Sequence, residues 1–268
     1  MAISMDVQKP VRLAAVVSKS FNAFGRQAVS LITISVIAHL PGFLWFLLWP
    51  AVDFATVRSL LSPWADLLVP VVSFMCAMIG YGAIICRVTQ DLAGHRVSIA
   101  ETVAVAVRRL PPLVGVLVAV VALIRLTLPR LTEAAGTEPA GGRVLFGLIA
   151  TLTYWLAMAM YFVAAPVCID EQIGLGTAVS RCRFLTKGHR WQIFGAFLLV
   201  SILEFATTNI GAFIAAALSP TGQLRGATST IFYGIWSVLG AFSAVMAAVF
   251  YERLRSTKDG VHLSKIFD

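Results

Sequence analysis

The feature that most constrains this chain is a succession of apolar runs of about twenty residues, the length a helix needs to cross the hydrocarbon of a bilayer. They fall near 28 to 49, 67 to 87, 111 to 129, 144 to 168, 191 to 217 and 228 to 251. Lipid offers no partner to a backbone N–H or C=O, so each run must satisfy its own backbone as a helix. Composition agrees: the 268 residues are 59% hydrophobic and 13% charged, against about 25% charged in soluble domains. The expectation is an all-α, polytopic membrane bundle of six transmembrane helices forming one domain over 1–268. The first run begins near Ala28, behind a polar leader with no short apolar core and small-residue cleavage site, so no cleavable signal peptide is expected.

Formal net charge is +8, which in a soluble protein would suggest nucleic acid. In a membrane protein the distribution of cations matters first. With six spans, one side keeps Arg58, Arg125, Arg130, Arg143 and Arg225, and the remaining sixteen of the 21 Lys and Arg share the side of the termini. By the positive-inside rule that side is the cytoplasm, and a bacterial inner-membrane protein with both ends inside follows. The connectors 133–142 and 219–226, rich in Gly and Pro, then lie outside.

Each basic segment entering an odd-numbered span has helical periodicity. Leu13, Val17, Phe21 and Phe24 share one face of the first; Ile99, Val103, Ala106 and Leu110 share one face of the second, behind a Ser98/Glu101 capping box. In the third, Leu175, Ala178, Cys182 and Leu185 form the stripe, and Gly188 ends the helix before Trp191 enters the bilayer. The order amphipathic helix, span out, span back recurs three times, which predicts a threefold internal repeat over about 11–87, 95–168 and 173–251 with a tail at 252–268. The cations of these segments, Arg12, Lys19, Arg26, Arg108, Arg109, Arg181, Arg183, Lys187 and Arg190, are expected to face anionic lipid headgroups or other membrane subunits.

Chemistry-bearing residues are few. At about 1.5 Å per residue, His39, Arg125 and Glu204 fall near mid-depth of spans one, three and five, and Asn209 extends the polar stripe of Glu204. A buried charge at that depth costs about 2.5 to 3.5 kcal/mol, so Arg125 and Glu204 should face the bundle and pair. An interhelical clamp, with His39 bonded to a backbone carbonyl, is preferred over an ion or solute pathway, because one matched pair balances the charge. His39-Leu-Pro-Gly42 predicts a local break in the first helix. Asp170 and Glu171 are placed to cap or pair with the basic helix that follows them. Cys76, Cys86, Cys168 and Cys182 have neither CxxC spacing nor nearby His, which reads as free thiols rather than a metal site. No catalytic or phosphate-loop motif occurs, so neither cofactor nor enzymatic activity is expected, and the charge pattern calls for no nucleic acid.

Two places carry a family resemblance: Asp170-Glu171 with Ala178-Val-Ser-Arg-Cys-Arg-Phe-Leu-Thr-Lys-Gly188 and Trp191-Gln-Ile-Phe194, and Tyr251-Glu-Arg-Leu-Arg-Ser-Thr-Lys-Asp-Gly260 with Ile266-Phe-Asp268. Together they resemble the membrane domain of bacterial glycerophosphoryl diester phosphodiesterases and its stand-alone relatives. The resemblance implies a six-helix inner-membrane protein with amphipathic cytoplasmic connectors. The phosphodiesterase members append a soluble catalytic barrel; this sequence reaches Asp268 without one, and the activity is not expected to carry over. The function expected is that of a non-enzymatic scaffold, accessory subunit or envelope-maintenance factor. The alternative is a transporter or lipid-handling protein working through His39, Arg125 and Glu204.

Overall fold

A computed structural model describes residues 12–48, 55–115, 118, 162–218 and 225–259. Every regular element among them is a helix: α1 (Leu13–Leu48), α2 (Ala55–Leu92), α3 (Ile99–Arg108), α4 (Leu175–Thr186), α5 (Arg190–Leu218) and α6 (Arg225–Asp259). Short helical segments at 110–115 and 162–170 follow α3 and precede α4. Four helices are long and apolar enough to cross a membrane, within Leu13–Leu44, Val71–Leu92, Arg190–Gly211 and Phe232–Asp259. They correspond to the expected spans one, two, five and six, and make this a helical membrane protein. Most of the expected spans three and four, Arg125 included, lies outside the described residues.

The expected break in the first helix falls elsewhere. Residues 39–42 stay within α1, with Pro41 inside it, and the non-helical residue is Gln27, at φ −127° and ψ 17°. Proline removes one backbone donor, and neighbouring side chains in a membrane helix readily meet the freed groups, so the helix continues past it. The break at Gln27 instead separates an amphipathic segment from the span, where the sequence changes from polar-faced to apolar. The Ser98/Glu101 capping box forms as expected, with Ser98 Oγ accepting from the Glu101 N–H and Glu101 Oε2 accepting from the Ser98 N–H at 2.8 Å. Gly188, at φ +90°, turns the chain out of α4, a conformation glycine adopts without steric cost.

α1 lies against α2 and α6, α2 also packs on α3 and α6, and α5 leans on α6. Small residues allow the closest approaches: a Cβ on Gly80 would stand 2.3 Å from the Ala38 Cβ, so no larger residue fits between α1 and α2 there. Among the described residues, burial is concentrated toward one end of the helices. At that end, called the basic end here, Val16, Leu31, Ile84, Ile85, Val88, residues 162–169, Leu185, Met246, Phe250, Tyr251 and Leu254 are buried together. α6 runs on to Asp259, so the first part of the expected tail continues the helix and joins this core. Gly82 sits where α2, α3, segment 110–115 and segment 162–170 converge, with the Leu113, Ile169 and Ala106 side chains within 3.3 Å of an added Cβ.

The amphipathic stripes face protein. On α4 the expected Ala178, Cys182 and Leu185 are buried. On α1 the buried line is Val16, Ser20 and Ala23, flanked by half-buried Leu13, Val17 and Phe24, and Phe21 is exposed. On α3 it is Thr102 and Ala106, with Ile99 exposed. Where the register shifts, small residues occupy the line of contact and the bulky ones flank it, which lets the helices approach closely.

Candidate functional site

The polar side chains of the basic end form a set of latches between distant parts of the chain. Segment 162–170 ends in Asp170 and Glu171, and α6 presents Tyr251, Arg255 and Asp259 at intervals of four on one helical face. The Tyr251 hydroxyl lies 3.0 Å from Asp170 Oδ2 and 3.1 Å from Glu171 Oε1, able to donate to either, and Arg255 Nη1 donates to Asp170 Oδ2 at 2.5 Å. α4 supplies Arg181, whose Nε donates to Glu171 Oε1 at 2.9 Å and whose two Nη atoms donate to the Asp259 carboxylate. This bidentate hydrogen bond with Asp259, then that with Glu171, holds the Arg181 guanidinium even further above its ordinary range, and the charge is permanent. Its flat face also covers the Phe184 ring, 5.6 Å from the centroid.

The other amphipathic segments are tied in the same way. Lys19 of α1 pairs with Glu252 of α6 at 2.8 Å, and Arg26 of α1 pairs with Asp91 of α2 at 2.6 Å. Arg109, which caps α3, donates to Gln172 Oε1 at 2.8 Å. Thus four of the nine cations expected to face lipid or partners, Lys19, Arg26, Arg109 and Arg181, are engaged within the protein. A charge so placed gains more from a fixed counter-group than from mobile headgroups. Arg12, Arg108, Arg183, Lys187 and Arg190 are exposed. Three of these stand at the α4–α5 junction beside Phe184 and Trp191, which are 51% and 78% exposed.

Burial, and secondarily the neighbouring Cys168, pushes the Cys182 thiol up to about 12, far from a reactive thiolate. Cys76, Cys86 and Cys168 form no disulfide, and Cys86 and Cys168 are buried. At the turn after Gly188, burial and then nearby Lys258 hold the His189 ring below its usual 6.5, and its buried Nδ1 has no hydrogen-bond partner among the described residues.

Inside the span region the expected polar cluster is not assembled among the described residues. His39 Nδ1 bonds to the Ser35 carbonyl of its own helix at 2.8 Å, the backbone-carbonyl arrangement of the clamp reading. Ser35 Oγ donates to the Ser237 carbonyl at 2.7 Å, tying α1 to α6, and the His39 ring meets Tyr233 edge-on. Asn209 is exposed and donates back to the Phe205 carbonyl at 2.7 Å, while Glu204 is half-buried on α5. No hydrogen bond or ion pair joins His39, Glu204 and Asn209 among the described residues. Thr33 and Thr207 likewise bond to carbonyls one turn earlier, the usual way for polar groups to avoid bare exposure to lipid.

Tyr251, Glu252, Arg255 and Asp259 are latch residues that the sequence reading does not single out. The four-residue spacing of Tyr251, Arg255 and Asp259 on a helix that continues past the last apolar run is the signal that could have found them. The chain matches no family model, no curated protein and no solved structure.

Proposed function

We propose that this is a non-enzymatic inner-membrane protein whose basic end, on the cytoplasmic side, is a rigid platform serving as scaffold or accessory subunit for other membrane components. The observation that carries this reading is the α4–α5 junction. Once the internally paired cations are set aside, Arg183, Lys187 and Arg190 remain exposed beside Phe184 and Trp191, at the start of a span. Clustered cations with amphipathic aromatics suit an anionic leaflet or the acidic flank of a partner subunit. The latches behind them hold this surface in place, which a platform requires and a mobile gate does not. Six spans, the threefold repeat and the kinship to the phosphodiesterase membrane domain belong to the same proposal. The alternative of a transporter gains nothing from His39, which is engaged with a backbone carbonyl.

The test is gentle extraction from native membranes, comparing wild type with a triple Arg183→Gln, Lys187→Gln and Trp191→Ala variant of equal thermal stability. A stoichiometric membrane partner that accompanies wild type and is lost from the variant is the expected result. Solute flux into proteoliposomes that needs Glu204, with no partner affected by the triple variant, would replace the scaffold with the transporter.

A further inference from the structure

Away from the α4–α5 junction, the break at Gln27 opens a cleft of about 380 Å³ lined by Gln27, Arg87, Asp91, His95, Arg96 and Val97. Its position follows from the fold. α1 is kinked at Gln27, just before the apolar run that begins near Ala28, and α2 ends its apolar window at Leu92. If the apolar run from Ala28 marks the hydrocarbon, the cleft lies at its edge, the depth of lipid phosphates.

Its charge is unbalanced. Asp91 is the only carboxylate of the lining among the described residues, and Arg26 already meets it at 2.6 Å. Arg87 and Arg96 add two permanent cations, and no ion pair engages either among the described residues. Arg87 is also preset. Its Nε donates to Gln27 Oε1 at 2.7 Å and its Nη1 to the Val97 carbonyl at 3.0 Å. Neutral acceptors on both sides orient the guanidinium without cancelling its charge, so little entropy is lost when an anion arrives. A stability role would be better served by a carboxylate at Gln27.

We infer that the cleft at Gln27 is a binding site for a single phosphate group, gripped by Arg87 and Arg96. The phosphate is that of an anionic lipid headgroup or of a small soluble phosphate ester. At about 380 Å³ the cleft lies near the lower end of small-ligand sites, which run from about 300 to 1,000 Å³, and leaves little room beyond one headgroup. This site is independent of the platform reading, since none of its residues lies at the α4–α5 junction.

The test uses the full-length, delipidated protein in a neutral detergent. One arm titrates phosphatidylglycerol against phosphatidylcholine by native mass spectrometry, and the other titrates inorganic phosphate by calorimetry. Saturable one-to-one binding of phosphatidylglycerol, not displaced by phosphate, assigns the site to lipid; binding of phosphate that competes with the lipid assigns it to soluble esters. In either case Arg96→Gln, at an exposed side chain outside the fold's latches, weakens binding about tenfold, the factor carried by one lost charge-assisted hydrogen bond. Arg108→Gln, an exposed cation outside the cleft, changes it less than about twofold. Arg87→Gln abolishes binding if the protein still folds, and Arg96→Gln decides the matter if it does not. Equal losses in Arg96→Gln and Arg108→Gln, or no saturable binding of either probe, overturn the proposal.

Discussion

The two ends of the same helices differ sharply. Along α1, Val16, Leu31 and Ile34 are buried near the basic end, while Val36, Ile37, Leu40 and Leu44 further along are exposed. Along α6, residues from Ala241 to Tyr251 are largely buried, while Ile235 and Trp236 are not. α5 carries Ile202, Phe205, Ile210 and Phe213 outward over most of its length. Apolar side chains gain little by leaving lipid for protein, so those exposed along α1, α5 and α6 carry no penalty in a bilayer. Toward the basic end, burial and fixed ion pairs hold the described helices together. Among the described residues, the buried core and the ion pairs that fix it are concentrated toward the basic end of the helices.

Changes at matched positions in the two ends can break that comparison. Leu185→Ala, at a 0% exposed side chain of α4, should cost about 3 kcal/mol of stability. Phe213→Ala removes a larger side chain that is 75% exposed on α5 and should change stability by less than about 0.5 kcal/mol. Thermal unfolding in one detergent compares them, and equal effects would erase the distinction between the ends. Next in size is Arg181→Met, which leaves Glu171 and Asp259 without their shared cation. Both sites are only partly shielded, so the loss is nearer about 2 kcal/mol than the larger penalty of a fully buried pair. Adding Asp259→Asn to it should recover part of the loss, and strict additivity would show that the pairing carries no energy.

Smaller effects sharpen the picture. Tyr251→Phe removes the hydroxyl placed between Asp170 and Glu171 and should cost about 1 kcal/mol, because Arg255 and Arg181 still serve these carboxylates. The pH dependence near neutrality should come from His189. Its folded pKa is depressed, so an unfolded chain takes up the proton first as pH falls. The stability it contributes is complete above about 6.5 and is lost as pH falls through the folded value. Melting temperature measured across that range should fall toward acid in wild type and lose this part of its slope in His189→Gln. An unchanged slope would assign the effect to other groups.

What could be read from the sequence follows from how local each signal is. Four of the six apolar runs, the capping box at Ser98 and Glu101, the turn at Gly188 and the Ala178, Cys182 and Leu185 part of the α4 stripe depend on neighbours within a turn or two, and these are legible in the sequence. Glu171 pairs with the basic helix that follows it, as expected, because Arg181 is near in sequence, whereas Asp170 is taken by Arg255 and Tyr251 of α6, 85 and 81 positions away. The pairing of Lys19 with Glu252, 233 positions away, leaves no local trace, so Lys19 read as a lipid-facing cation. The stripes of α1 and α3 were displaced because bulky residues dominate a periodicity reading, whereas close helix contact selects Ser20, Ala23, Thr102 and Ala106. Pro41 was overweighted as a breaker, and Gln27 carried no intrinsic mark. Its role comes from Arg87, which donates to it from another helix.

The central claim is that the amphipathic helices pack their apolar stripes on protein rather than on lipid. Cys182 lies within the α4 stripe as a native probe, and Ser180 is exposed on the same helix. Alkylation of the folded protein in lipid nanodiscs by a membrane-soluble maleimide, followed residue by residue with mass spectrometry, tests this most directly. Cys182 should remain unmodified while a Ser180→Cys variant is labelled at position 180 within minutes. Labelling of Cys182 at a comparable rate would mean that the stripe faces lipid, and would contradict the account.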